Sequence, residues 1–239
     1  MKVSEMQIAN PAMGSVTDEL NILQELLPLQ GAKVLELGCG KAEKTRLVSQ
    51  QVTSVLALEV DEIQLANNMQ ISDLPNVSFN YGVAEKIAAA DATFDIVLMF
   101  KSLHHVPIAQ MDNAFAEIHR VLKPGGLVYI SEPVFAGDFN EVLRLFHDES
   151  TVREAAFAAE KRAVASNKFS LVTQKFFLNA MHFDSFNKFE EQVLKVTHTE
   201  HKLSAALHEQ VREKFSKHMT PYGADFQMPI RVDLLGKNR

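Results

Sequence analysis

Apolar positions along this chain switch between two spacings, one near 3.6 residues and one continuous over five to seven. Leu20, Leu23 and Leu27 recur at helical spacing behind a Ser15–Asp18 start signal, which predicts a helix over 15–27. "KVLEL" then reads as a buried strand, followed by a turn and a polar helix through "EKTRLVSQQ". "SVLALEV", "NVSFNYG", "FDIVLMF" and "LVYISEP" are further strand-length apolar runs, and "DEIQLANNMQ" lies between the first two as a helix. Met111, Phe115, Ile118 and Leu122 mark an amphipathic helix that "KPGG" stops. Near-continuous apolar strands alternating with helices predict an α/β fold, with a mostly parallel sheet covered on both faces.

The alternation is lost after Val134. Residues 138–166 read as helical, and "SLVTQKFFLNAMHF" can hold a strand. Phe186, Phe189, Val193 and Val196 mark one helix, Leu203, Leu207, Val211 and Phe215 another, and "ADFQMPIRVDLLG" a closing strand. No repeat or Gly/Ser linker divides these parts. The expectation is one domain over 1–239: a cap helix in 1–30, a ligand-binding core in 31–133, and helices with the last strands in 134–239.

Composition narrows the classes. Of 239 residues, 46% are hydrophobic and 23% charged, the balance of a globular chain with a sizeable core. A net charge of −6 argues against a surface that tracks phosphates, so no nucleic-acid partner is expected. The lone Cys39 cannot form an internal disulfide, and no apolar run reaches the roughly 20 residues of a membrane span. A cytoplasmic protein, monomer or homodimer, without a membrane partner is expected.

The stretch "VLELGCGKAEKT" (34–45) carries the first chemical signal. In an open parallel sheet, ligands bind beyond the carboxyl ends of the strands, where strand order reverses. Gly38 and Gly40 let the backbone approach a ligand closely, and the helix that follows offers unpaired N–H groups. Glu59 ends the second strand 21 residues after Gly38, placed to accept hydrogen bonds from a ribose diol. Together they point to a nucleoside. A dinucleotide fingerprint needs a third glycine where this chain has Glu43, whose charge would repel a pyrophosphate. Glu36, just before the turn, suits a ligand with a positive group.

At these residues the chain resembles the class I S-adenosylmethionine-dependent methyltransferases, of the small-molecule, methyltransferase-11-like type. "ELGCGKA" matches their first motif with Ala42 in the third glycine's place, and Glu59 stands at the ribose-binding acid. "GVAEKIAAADATFDIV" resembles the adenine-contacting region, "LHHV" the loop after strand four, and "LKPGGLVYISEP" the turn and fifth strand. The resemblance covers residues 30–133 closely. It implies a Rossmann-like, doubly wound, seven-stranded sheet, and methyl transfer from S-adenosylmethionine to a small-molecule acceptor. It places Glu36, Gly38, Cys39, Gly40, Glu59, Val60, Val83, Ala84, Glu85, Phe100 and Lys101 at the cofactor, with Glu36 near its ammonium group. Val83 replaces a customary acid, which shifts adenine recognition to backbone around Ala84, with Glu85 nearby. Ala42 requires a negative φ at that point of the turn. The alternative is a non-catalytic cofactor-binding or scaffold protein on the same fold.

The remaining candidates are weaker. His105, after strand four, is a candidate base for a protonated acceptor, and His104 beside it less so. Phe100-Lys101-Ser102-Leu103 lacks the Asn/Asp-Pro-Pro-aromatic sequence of enzymes that methylate base or amide nitrogens. His198, His201 and His208 match no compact metal site, and "HEQVR" ends in Arg212 where a zinc helix needs histidine, so no metal is expected. Phe135, Phe139, Phe146, Phe176, Phe177 and Phe183 belong to a phenylalanine-rich second half. They are expected to pack a core sooner than line an acceptor pocket.

Overall fold

The computed structural model describes residues 3–10, 12, 14–196 and 201–238. β1 (Lys33–Leu37), β2 (Ser54–Glu59), β3 (Val77–Tyr81), β4 (Phe94–Phe100) and β5 (Leu122–Pro133) pair in parallel, in the order β3-β2-β1-β4-β5. The chain winds outward from β1 to β3 in one direction and from β4 to β5 in the other. The strand order therefore reverses between β1 and β4, and the crevice of such a sheet opens at their carboxyl ends.

Helices α1 (Glu19–Leu26), α2 (Glu43–Ser49), α3 (Glu62–Asn68) and α4 (Met111–Val121) accompany this half. The expected first helix starts four residues late. Ser15–Thr17 is drawn off as extended chain, with Val16 bridged to Leu178 and Thr17 N donating to the Leu178 carbonyl at 3.1 Å. Asp18 then caps α1, its carboxylate accepting from Leu20 N at 2.7 Å.

In the second half, α5 (Asp138–Leu143) and α6 (Ser150–Ala165) occupy the helical stretch predicted at 138–166. β6 (Phe169–Phe183) follows, then α7 (Phe186–Phe189), which runs on as a π-helical turn over Glu190–Leu194, and α8 (Ala205–Ser216). β8 (Gly223–Lys237) inserts antiparallel between β5 and β6, giving the path β3-β2-β1-β4-β5-β8-β6. That path has the seven strands expected. The two-residue β7 (Met219–Thr220), paired only to β8, brings the sheet to eight.

Two apolar layers flank the sheet. Val34, Ile96, Leu98, Tyr129 and Val232 meet Leu23 and Leu27 from the first helix and its end. A packed group of rings joins them there: Phe139, Phe183, Phe189, Phe215 and Phe226, with centroids 5.0–6.4 Å apart. Leu35, Val97, Met99, Val128 and Ile130 face the other way, onto Phe115 and Ile118 of α4 and Phe157 of α6. Each fully buried side chain of this size contributes about 1.5–3 kcal/mol, so Phe139, Phe177 and Phe183 are accounted for by packing, as expected. No helix of the described residues is long and apolar enough to cross a membrane.

Candidate active site

The glycine turn is fixed from both neighbouring strands. Gly38 N and Cys39 N donate to the Leu58 carbonyl at 2.9 and 3.1 Å, and Ser102 Oγ, just past β4, donates to the Leu37 carbonyl at 2.7 Å. A Cβ on Gly38 would sit 2.7 Å from that of Ser102, so only glycine fits. Gly38 and Gly40 have φ of 77° and 50°. Ala42 departs from expectation: its φ is 59°, not negative. The chain needs a third left-handed residue to enter α2, and a side chain there costs roughly 1–2 kcal/mol. The Ala42 methyl is buried against the core, which offsets part of that cost.

Glu59 is buried at the end of β2 with both oxygens engaged. Oε2 accepts from Gly40 N at 2.7 Å, while Oε1 accepts from Val60 N at 2.8 Å and Asp61 N at 3.0 Å. Asp61 in turn caps α3 through Ile63 N and Gln64 N. Asn68 reaches back from α3 to donate to the Gly40 carbonyl at 2.7 Å. Turn, second strand and third helix are thus one hydrogen-bonded unit around the predicted ribose-binding acid.

Glu36 lies below this turn, 1% exposed, on the side of the sheet that Val34 also faces by strand alternation. Among the described residues its Oε2 has no hydrogen-bond partner. Burial pushes its carboxyl up to about 8, against Thr45 nearby and with help from the charges of Glu59 and Glu19. A buried carboxyl left with a bare oxygen fits a ligand that carries a cation, such as the ammonium of an amino acid, and a glycine turn beside Glu59 fits a nucleoside. These residues fit S-adenosylmethionine. Burial first, and then Glu36 and Glu59, push the Cys39 thiol far up, so it is a packed thiol and not a nucleophile.

The other predicted contacts lie around the same crevice. Val60, exposed, follows Glu59, and Val83 bridges to Lys86 while Ala84 beside it is buried and Glu85 half-buried. Phe100 packs on Tyr129 with ring centroids 5.7 Å apart. Lys101, exposed, takes φ = 53°, and its N–H donates to the Ser131 carbonyl at 2.7 Å. A lysine in the left-handed region at a strand end is backbone strain of the sort found at functional sites.

The two histidines after β4 have different surroundings. His104 is buried on the opposite side of the sheet, its Nδ1 hydrogen-bonded to Glu132 and its Nε2 3.4 Å from Glu149. Burial lowers its affinity for a proton, but the two carboxylates more than reverse this and raise it to about 9. Glu149 also takes Arg153 Nη2 at 2.5 Å and His147 Nε2 at 2.9 Å. Further along β8, Arg231 joins Asp233 at 2.5 Å and Glu160 at 2.7 Å. His105 is exposed and stacks on His104, with ring centroids 4.1 Å apart. The donors of His104, His105 and Glu149 lie within 4.8 Å of one another, as a metal set would. A hydrogen bond at one nitrogen of His104 and an ion pair at the other also make the arrangement an ionic brace.

Sequence reasoning missed Glu19, Tyr129, Glu132 and Glu149, which are buried polar groups on elements read only for their apolar rhythm. Glu132 was visible inside "YISEP" as a charge at the end of an apolar strand. Of the three later histidines, His198 lies outside the described residues. His201 stacks edge-on to Phe146 and His147, and His208 bonds Glu190 at 2.6 Å. Two cavities, of about 200 and 440 Å³, lie by Phe115 and Arg162 and at the amino ends of β1, β4 and β5, away from the turn.

Residues 35–130 match the methyltransferase domain family. A methyltransferase of Synechocystis sp., sll0829, is 31% identical over 105 residues, 44% of this chain and 49% of that protein. The ubiquinone biosynthesis O-methyltransferase of Pseudomonas aeruginosa is 31% identical over 115 residues, 47% of this chain and 49% of that protein. The chain spans about half the length of the curated relatives it matches. In fold, it is similar to the YcgJ protein of Bacillus subtilis, with a TM-score of 0.65 and 18% identity over 92% of this chain and 98% of that one. It is also similar to the [4+2]-cyclase SpnF, with a TM-score of 0.56 and 18% identity over 91% and 79%. Residues 35–130 are thus similar to a methyltransferase domain.

Proposed function

We propose that this chain, as a class I methyltransferase, binds S-adenosylmethionine and moves the methyl group to a small-molecule acceptor. The observation that carries the reading is the buried Glu36 carboxyl, one oxygen bare, beneath a glycine turn that Glu59 clamps at the point where strand order reverses. Bound there, S-adenosylmethionine supplies a methyl group on an already activated sulfonium leaving group. Glu36 holds the ammonium end, the turn of Gly38–Gly40 lies against the ligand, and Glu59 meets the ribose. Backbone around Ala84 closes the adenine side, with Glu85 nearby. What remains for the chain is to align the nucleophile and exclude water. Alignment alone can supply about 7–11 kcal/mol, more than a base contributes. Where the acceptor carries a proton at neutral pH, an imidazole nitrogen of exposed His105 takes it.

The family match stops at residue 130, before the helices and strands of 134–238 that we assign to the acceptor. The quinone precursor implied by the Pseudomonas relative's name therefore does not carry over, and the acceptor is sought by screening. Calorimetry with S-adenosylhomocysteine and with NAD tests the first step, and labelled methyl transfer to a panel of hydroxyl, amine and carboxylate compounds tests the second. Binding of NAD in place of S-adenosylhomocysteine refutes the reading. Cofactor binding without transfer to any acceptor favours a role on this fold other than methylation, the fold being shared with a protein named for cyclisation.

A further inference from the structure

Glu19 is the first residue of α1, where an acid ordinarily stabilises a helix with its carboxylate left in water. Here the residue is 4% exposed, and its Oε1 is buried without a hydrogen-bond partner among the described residues. Helix stabilisation asks for no such burial, and an unmade hydrogen bond in the interior opposes folding. Two neighbouring groups share this condition. The Tyr129 hydroxyl, on a fully buried residue of β5, has no hydrogen-bond partner among the described residues, and burial with the charge of Glu19 keeps its proton firmly held. Glu36 Oε2 is the third bare atom, and the Glu19 charge reaches it too.

The helix is held over this place from both ends. Asp18 pairs with Lys44 of α2 at 4.0 Å, directly beside the glycine turn, while Leu23 and Leu27 anchor the other end in the core. Three elements thus supply two carboxyls and a hydroxyl, all buried, with the Glu19 charge acting on both of the others. Among the described residues, neither Glu19 nor Glu36 is paired with a lysine, arginine or histidine. Two carboxyls so placed suit a ligand that brings a cation.

We infer that Glu19 is a binding residue: with Glu36 it forms a carboxylate pair for the ammonium group of the cofactor, beside the Tyr129 hydroxyl. The inference rests on the S-adenosylmethionine reading above. An ammonium has three donors, enough to serve both carboxylates. The N-terminal helix is then part of the binding site and not only a cover, and the ligand enters by displacing it.

The test compares two ligands that differ at this end alone. S-adenosylhomocysteine carries the amino-acid tail, and 5′-methylthioadenosine lacks it. Calorimetry is run on the wild type, Glu19→Gln, Glu36→Gln and Tyr129→Phe, with thermal unfolding of each ligand-free protein. Glu19→Gln should weaken S-adenosylhomocysteine about tenfold or more and leave 5′-methylthioadenosine within about twofold. Its ligand-free unfolding temperature should be unchanged or higher, because the change removes a buried carboxyl with a bare oxygen. Loss of affinity for both ligands in parallel with a lower unfolding temperature would make Glu19 a structural residue and overturn the inference. Unchanged affinity for both overturns it as well, while leaving the cofactor reading intact. A wild type that binds neither ligand removes both.

Discussion

Glu59 accepts a 2.7 Å hydrogen bond from the backbone N–H of Gly40, so the acid at the end of β2 holds the turn that it faces. A carboxylate offers about four acceptor positions, and backbone N–H groups take three here. Replacement should therefore act twice. Glu59→Ala is expected to lower ligand-free stability by about 1.5–3 kcal/mol, the worth of a hydrogen bond to a charged group, and to weaken S-adenosylhomocysteine comparably. Glu59→Gln should behave similarly, since its amide NH₂ must meet a backbone donor. Denaturation and calorimetry on the same samples check this, and a variant of wild-type stability and affinity would exclude Glu59 from the site.

Glu36 gives the pH dependence. Its carboxyl titrates near 8 in the folded chain against 4.5 ordinarily, so the folded state binds more protons between those values. Stability from this group is therefore full below about 4.5, falls as pH rises toward 8 and is flat above, a span on the order of 5 kcal/mol. An ammonium bound to Glu36 requires the ionised form. At pH 7, binding of S-adenosylhomocysteine should release about one proton, at pH 8 about half of one, and above about pH 9 almost none. Calorimetry in buffers of different ionisation enthalpy reads this directly. Glu36→Gln should abolish the release, and release that persists in it would assign the proton elsewhere.

His104 and His105 should separate cleanly. His104→Ala leaves Glu132 and Glu149 without the cation between them, and removal of one partner from a buried ion pair costs about 3–5 kcal/mol. His105→Ala should leave stability within about 1 kcal/mol of wild type, since the ring is exposed. If the acceptor is protonated, His105→Ala slows transfer by about 10²–10⁴ with cofactor affinity unchanged. A ready anion as acceptor keeps the loss within about tenfold. Single-turnover rates across pH 5.5–9 distinguish the two, and a fast His105→Gln with an unaltered profile removes the base assignment.

Ligand entry requires α1 to open, because Glu19 and Glu36 are both closed off from solvent. Hydrogen exchange should then be fast in residues 14–26 of the free protein and slow with S-adenosylhomocysteine, with a smaller change over 134–150. Protection confined to 36–105 would mean that the cap does not move.

The core strands were readable because each is an apolar run bounded by turn residues, from "KVLEL" to "LVYISEP". β6 and β8 were readable for the same reason. The start of α1 was not, because Ser15–Thr17 pairs with Leu178, more than 160 residues away, and no local signal carries that bond. Ala42 runs against expectation since alanine ordinarily avoids φ > 0, and only the geometry of three alternate left-handed positions, with Gly38 and Gly40, shows why it is forced there. At the site, Gly38, Gly40 and Glu59 were visible through spacing. Glu19 and Tyr129 were not, because their polar atoms matter only once distant elements enclose them.

The place of β8 between β5 and β6 bears on how the chain is made. Ile130 pairs with Asp233 and Phe177 with Ile230, so two strands synthesised earlier wait for a third synthesised last. Until the ribosome has passed Lys237, β5 and the fifteen-residue β6 each present an unpaired, largely apolar edge. Such edges are templates for pairing with other chains, and long-range antiparallel closure is slow. The nascent protein is therefore most exposed to aggregation before β8 emerges, and a chaperone that shields strand edges would act in that interval.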